Sequence, residues 1–122
     1  MKLRLDSQSI RFRVRKSDTE TLAKKGFIEE ILHFPRHHFT YRLDISPQDQ
    51  VIKARASDQS IIVSIPESQA KSWIFSEEVG IYATISTGNE KKILKILIEK
   101  DFPCKHRSTA DNEDTFEELS KS

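Results

Sequence analysis

Residues 1–17 read MKLRLDSQSIRFRVRKS, and residues 52–68 read IKARASDQSIIVSIPES. At an offset of fifty-one positions, Lys2 falls on Lys53, Arg4 on Arg55, Gln8 on Gln59, Ser9 on Ser60, Ile10 on Ile61 and Ser17 on Ser68. Within the first copy, Leu3 and Leu5, then Ile10, Phe12 and Val14, alternate with Lys2, Arg4, Arg11, Arg13 and Arg15. Alternation at period two predicts strands over 2–6 and 9–15, and the polar break Asp6-Ser7-Gln8 predicts a hairpin between them.

Downstream of each copy the same plan continues. Ser17-Asp-Thr-Glu20 has the spacing of a capping box, which predicts a short helix that buries Leu22 and Ala23 and stops at Gly26. FIEEILHF (27–34) reads as a strand, Pro35-Arg36-His37-His38 as a turn, and FTYRLDI (39–45) as a strand. The second half gives strands at 51–56 and 60–65, then a helix opened by Pro66 with Ala70, Trp73 and Ile74 on one face. VGIYATI (79–85) and KILKILIEK (92–100) follow as strands on either side of a Thr87-Gly88-Asn89 turn. At the same offset Leu43 matches Leu94 and Ile45 matches Ile96. The expected fold class is therefore α+β, built from an internal ββαββ duplication with pseudo-repeats at 1–46 and 51–100. About eight strands in an antiparallel sheet or a partly closed barrel would carry two short helices. Replacement of Leu3 and Leu5 by Ala54 and Ala56, against Leu22 by Trp73, shifts volume from strand to helix within one shared core. KILKILIEK is apolar on both faces, which suits a sheet centre or a subunit contact, so a homodimer is compatible with the pattern.

The chain of 122 residues is long enough for one domain that folds without staples. Its hydrophobic fraction of 36% against 32% charged residues fits residues 1–100 as a thin globular domain followed by a polar, acidic tail over 101–122. The single cysteine, Cys104, excludes an internal disulfide. No apolar run approaches a membrane span, and no signal peptide is visible, so the cytoplasm is the default location and no membrane partner is expected. Residues 1–16 carry six cations against one carboxylate, whereas residues 101–122 carry six carboxylates against three cations.

The motifs K-L-R-L…S-I-R-F-R-V at the start, I-P-x-x-x-A-x-x-W at 65–73 and E-K-D-F-x-C followed by the acidic E-D-T-F at 113–116 resemble a small bacterial family known only as a domain of unknown function. The resemblance spans nearly the whole chain. It implies a bacterial source and a stand-alone single domain, and it brings no activity or catalytic residue with it.

Three chemistries compete for the side chains. The cations Lys2, Arg4, Arg11, Arg13 and Arg15, with Arg55 from the second copy, suit an anionic small molecule, since guanidinium forks match phosphate and carboxylate. The plain alternative is a solvated sheet face paired with Glu29, Glu30 or Asp44. A third reading folds the acidic tail back on the stripe through Asp111, Glu113, Asp114, Glu117 and Glu118, with Phe116 and Leu119 as anchors. Nucleic acid is disfavoured because no exposed aromatic side chains interleave with the stripe. His33, His37, His38, Cys104 and His106 have the donor types for zinc, but their spacing matches no known zinc finger; exposed turn histidines are the commoner outcome. For catalysis, the sequence lacks a nucleophile elbow, a phosphate loop and an H-E-x-x-H helix, and no cofactor is implied. A binding module is the leading expectation. The rival, a small phosphohydrolase-like enzyme, would be favoured by a deep pocket in which some of Arg4, Arg11, Arg13 and Arg55 converge; a flat, solvent-washed arginine face would favour a module.

Overall fold

The computed structural model describes residues 1–101 and residue 116. Among them the chain runs β1 (Lys2–Asp6), β2 (Ser9–Val14), α1 (Lys16–Lys25), β3 (Phe27–Phe34), β4 (His37–Ser46), β5 (Lys53–Ser57), β6 (Ser60–Pro66), α2 (Glu67–Ile74), β7 (Gly80–Ser86) and β8 (Ile93–Lys100). The α+β class stands. A single antiparallel sheet or partly closed barrel does not: the strands form two separate four-stranded sheets, ordered β1-β2-β8-β7 and β3-β4-β6-β5. Both are mixed, because β2 runs parallel to β8 and β4 parallel to β6 while the hairpin pairs are antiparallel. The physical reason lies in the helices. Each helix carries the chain from one sheet to the other, so β2 and β3 never meet, and each leading hairpin finds its partner in the other half of the sequence.

The two sheets share one register. Across the first, Lys2 lies opposite Arg13, Arg13 opposite Glu99, and Glu99 opposite Gly80. Across the second, Lys53 lies opposite Ser64, Ser64 opposite Asp44, and Asp44 opposite Phe27. Lys53 and Ser64 each stand fifty-one positions after Lys2 and Arg13, whereas Glu99 stands fifty-five after Asp44. Leu43 therefore corresponds in register to Ile98, not to Leu94, and the matches Leu43–Leu94 and Ile45–Ile96 are not structural equivalents. The longer connections around β7 account for the slip: six residues separate β7 from β8, against two between β3 and β4.

One core takes side chains from both sheets and both helices. Phe12, Val14, Ile96 and Ile98 come from the first sheet, Leu43, Val63 and Ile65 from the second, and Leu22, Ala70 and Trp73 from the helices. Leu22 and Trp73, fifty-one apart, are both fully buried. β8 lies between β2 and β7 at the sheet's interior, with Ile96 and Ile98 turned to the core and Ile93, on its outer face, exposed.

Local boundaries differ from the expected ones in instructive ways. Helix α1 starts earlier than Ser17: the Asp18 carboxylate accepts the backbone N–H of Arg15 at 2.9 Å, so Asp18 takes the role expected of Glu20. Asp18 also receives the Met1 ammonium at 2.8 Å. Ala23 is exposed, and Thr19 and Leu22 hold the buried face instead. Gly26 closes the helix in the left-handed region at φ 81°, as expected. The β3–β4 turn is only Pro35-Arg36, with Arg36 at φ 63°, and His37 and His38 belong to the strand. Proline's fixed φ followed by a positive φ is the signature of a type II turn, which two residues complete. No helix among the described residues is long and apolar enough to cross a membrane.

Candidate anion-binding face

Alternation puts Lys2, Arg4, Arg11 and Arg13 on the outer face of the first sheet, with Lys2 across from Arg13 and Arg4 across from Arg11. Like charges directly opposite one another on adjacent strands are unfavourable unless opposite charge lies nearby. Parallel pairing with β8 brings it. Arg11 Nε lies 3.0 Å from Glu99 Oε1, and Arg13 and Lys2 each reach the Asp101 carboxylate at 3.7 Å. These partners are not the Glu29, Glu30 or Asp44 expected from sequence, which belong to the other sheet. Asp101 is 1% exposed, and its backbone N–H continues the ladder to the Val14 carbonyl at 2.9 Å.

Two cations on this face have no carboxylate partner among the described residues: Arg4, and Lys95 on β8. Together with Arg11, Ser9, Asp6 and Leu97 they line a small cavity of about 240 Å³, large enough for one anionic group. A second depression of about 320 Å³ is lined by Lys2, Leu3, Arg4, Arg11 and Arg13. Arg15 does not join them: it stands at the start of α1 with its guanidinium 3.3 Å from Asp18. Arg55 occupies the register position equivalent to Arg4 but lies on the other sheet, so it does not join Arg4, Arg11 and Arg13, which line one depression together.

Sequence reasoning missed Lys95, Glu99, Asp101 and Tyr82. All depend on the β2–β8 pairing, which antiparallel reasoning does not generate; the one available signal was Lys95 and Glu99 at alternate-face positions of a mostly apolar strand. Tyr82 is an exposed aromatic on this face, although its hydroxyl is committed, donating to Glu99 Oε2 at 2.8 Å. Its phenol is tucked over Gly80, where a Cβ would meet the tyrosine hydroxyl at 2.8 Å. Burial of the hydroxyl, then the hydrogen bond and negative charge of Glu99, raise the Tyr82 pKa above 10.0. Glu99 Oε1 is buried and, although Arg11 is close, accepts no hydrogen bond of good geometry.

The histidines do not assemble a metal site among the described residues. His33 and His38 are cross-strand neighbours at the β3–β4 tip with ring centroids 6.4 Å apart, while His37 alternates to the opposite face beside Phe34. No group of three or more His, Cys, Asp or Glu side chains gathers there. Cys104 and His106 lie outside the described residues, as do Asp111, Glu113, Asp114, Glu117, Glu118 and Leu119. Phe116 is described and buried. Its backbone N–H donates to the Asp101 carbonyl at 2.7 Å, and its ring centroid lies 5.4 Å from Lys100 Nζ.

A family model described as a family of unknown function, DUF7009, matches residues 1–120. The chain belongs to this family. No curated protein and no solved structure matched the chain. The family membership therefore covers almost the whole chain and leaves its activity to be argued from the residues themselves.

Proposed function

We propose that this member of the family is a binding domain, not an enzyme, and that the outer face of the β1-β2-β8-β7 sheet holds an anionic partner. The observation that carries the reading is the pair Arg4 and Lys95, unneutralised among the described residues on either side of Arg11. Glu99 and Asp101 hold Arg11, Arg13 and Lys2 in place, so an incoming phosphate or carboxylate meets side chains already oriented toward it.

The acidic C-terminal segment is the intramolecular competitor for the same face. Phe116 returns to Asp101, the residue that binds Lys2 and Arg13, which supports the proposed role of Asp111, Glu113, Asp114, Glu117 and Glu118 as a gate. The ββαββ duplication belongs to this reading as well: the identical register of the two sheets supports it, and the second copy replaced Arg11 and Arg13 by Ile62 and Ser64. Heparin-column retention tests the proposal. Removal of residues 108–122 should raise the salt concentration needed for elution, and Arg4→Gln with Lys95→Gln should lower it. Retention unaffected by either change would refute it.

A further inference from the structure

The second sheet carries a larger, open basin on its own outer face. About 640 Å³ in volume, it lies within the usual range of small-molecule sites. Its floor is the row Asp44–Ser64–Lys53, and its walls are the Lys25-Gly26 turn and the loop through Pro47, Gln48 and Asp49.

The charges there fall into two groups. Arg42 is held by Asp44 and by Glu29 at 3.7 Å and stacks over the Phe27 ring at 4.0 Å, and Lys53 is held by Asp49 at 2.9 Å. Hydrogen bonds from Lys53 and then Ser46 hold the Asp49 carboxyl below its ordinary value. Lys25 and Arg55, by contrast, have no ion-pair partner among the described residues. Ser64 lines the same basin, its side chain alternating outward from the buried Val63 and Ile65 and making no hydrogen bond among the described residues. Its hydroxyl opens into the basin and is available to whatever enters it.

We propose that this basin binds a small phosphomonoester that also carries hydroxyl groups, a sugar phosphate in chemical class. Arg55 and Lys25 neutralise the phosphate, and the Ser64 hydroxyl donates to one of its oxygens. The carboxylates of Asp44 and Asp49 and the Gln48 amide supply acceptors for the sugar hydroxyls. The site is independent of the basic face of the other sheet.

Titration of the full chain with ribose 5-phosphate, inorganic phosphate and ribose, followed by amide chemical shifts, tests the assignment. Ribose 5-phosphate should perturb residues 25–27, 44–49, 53–55 and 64. Arg55→Gln and Ser64→Ala should each weaken it by about tenfold, the scale of one charge-assisted hydrogen bond. Urea unfolding confirms that both variants fold, and the shifts at residues 25–27, 44–49, 53–55 and 64 should appear whether or not the Arg4–Lys95 face is also perturbed. Three outcomes would overturn the proposal: no perturbation by about 10 mM ligand, the limit of weak binding; perturbations confined to the Arg4–Lys95 face; or affinity unmoved by Arg55→Gln. Equal affinity for inorganic phosphate would remove the hydroxyl contacts from it.

Discussion

Gly80 is where a single methyl group has the most to disturb. It lies opposite Glu99, and an added Cβ would stand 2.9 Å from the Ile98 carbonyl oxygen as well as against the Tyr82 phenol. Gly80→Ala should therefore destabilise the fold by about 1–3 kcal/mol, the usual cost of overpacking, with urea denaturation as the measure. The two tyrosines give a pH prediction. Tyr41, whose hydroxyl donates to the Met1 carbonyl at 3.2 Å, has its pKa raised by burial and then by the charges of Glu30 and Asp18. A phenol whose folded pKa exceeds its unfolded one stabilises the fold fully below the unfolded value and loses that contribution as pH rises through the folded one. Since Tyr41 and Tyr82 are the only tyrosines, ultraviolet titration should show less than half ionisation at pH 10.0, and stability should fall above it. Half or more ionised at that pH would contradict both assignments.

Among the elements, every strand and both helices were legible, because alternation at period two and capping chemistry are local properties of the chain. Their ends were less so. At the start of α1 two carboxylates, Asp18 and Glu20, compete for the same capping role, and Asp18 takes it because strand β2 ends at Val14 and leaves the Arg15 N–H to be satisfied. Asp18→Ala should cost about 1–2 kcal/mol, while Asp18→Asn, which keeps an acceptor at that place, should recover part of the loss in thermal unfolding. The β3–β4 hairpin shows the converse. Pro-Arg-His-His reads as a four-residue turn, yet Arg36 accepts a left-handed conformation and lets the strand pairing run on through His37 and His38. That sets His38 across from His33 and His37 across from Phe34, with the His37 and His38 rings 6.5 Å apart, which spacing alone does not reveal.

At the scale of the whole molecule, the pairing of distant segments was the part that the sequence did not disclose. Parallel contacts between β2 and β8 and between β4 and β6 join residues eighty-six and twenty positions apart, and no local pattern encodes them. Half of the candidate face follows from that pairing, so Lys2, Arg4, Arg11 and Arg13 were found from sequence while Lys95, Glu99 and Asp101 were not. Both sheets close on one core around Trp73, whose indole N–H donates to the Val79 carbonyl at 3.2 Å. Trp73→Ala should cost about 3–5 kcal/mol, and fluorescence-independent unfolding by circular dichroism should remain a single transition. Two resolved transitions would show that the sheets have separate cores.

The most direct test of the basic face is the affinity for inorganic tripolyphosphate at low salt, measured calorimetrically on the full chain and on the Arg4→Gln, Lys95→Gln double variant. The account predicts that the double variant binds at least about tenfold more weakly and that its salt dependence becomes shallower, since two of the cations that meet the ligand are gone. Equal affinity and equal salt dependence in the two proteins would contradict it.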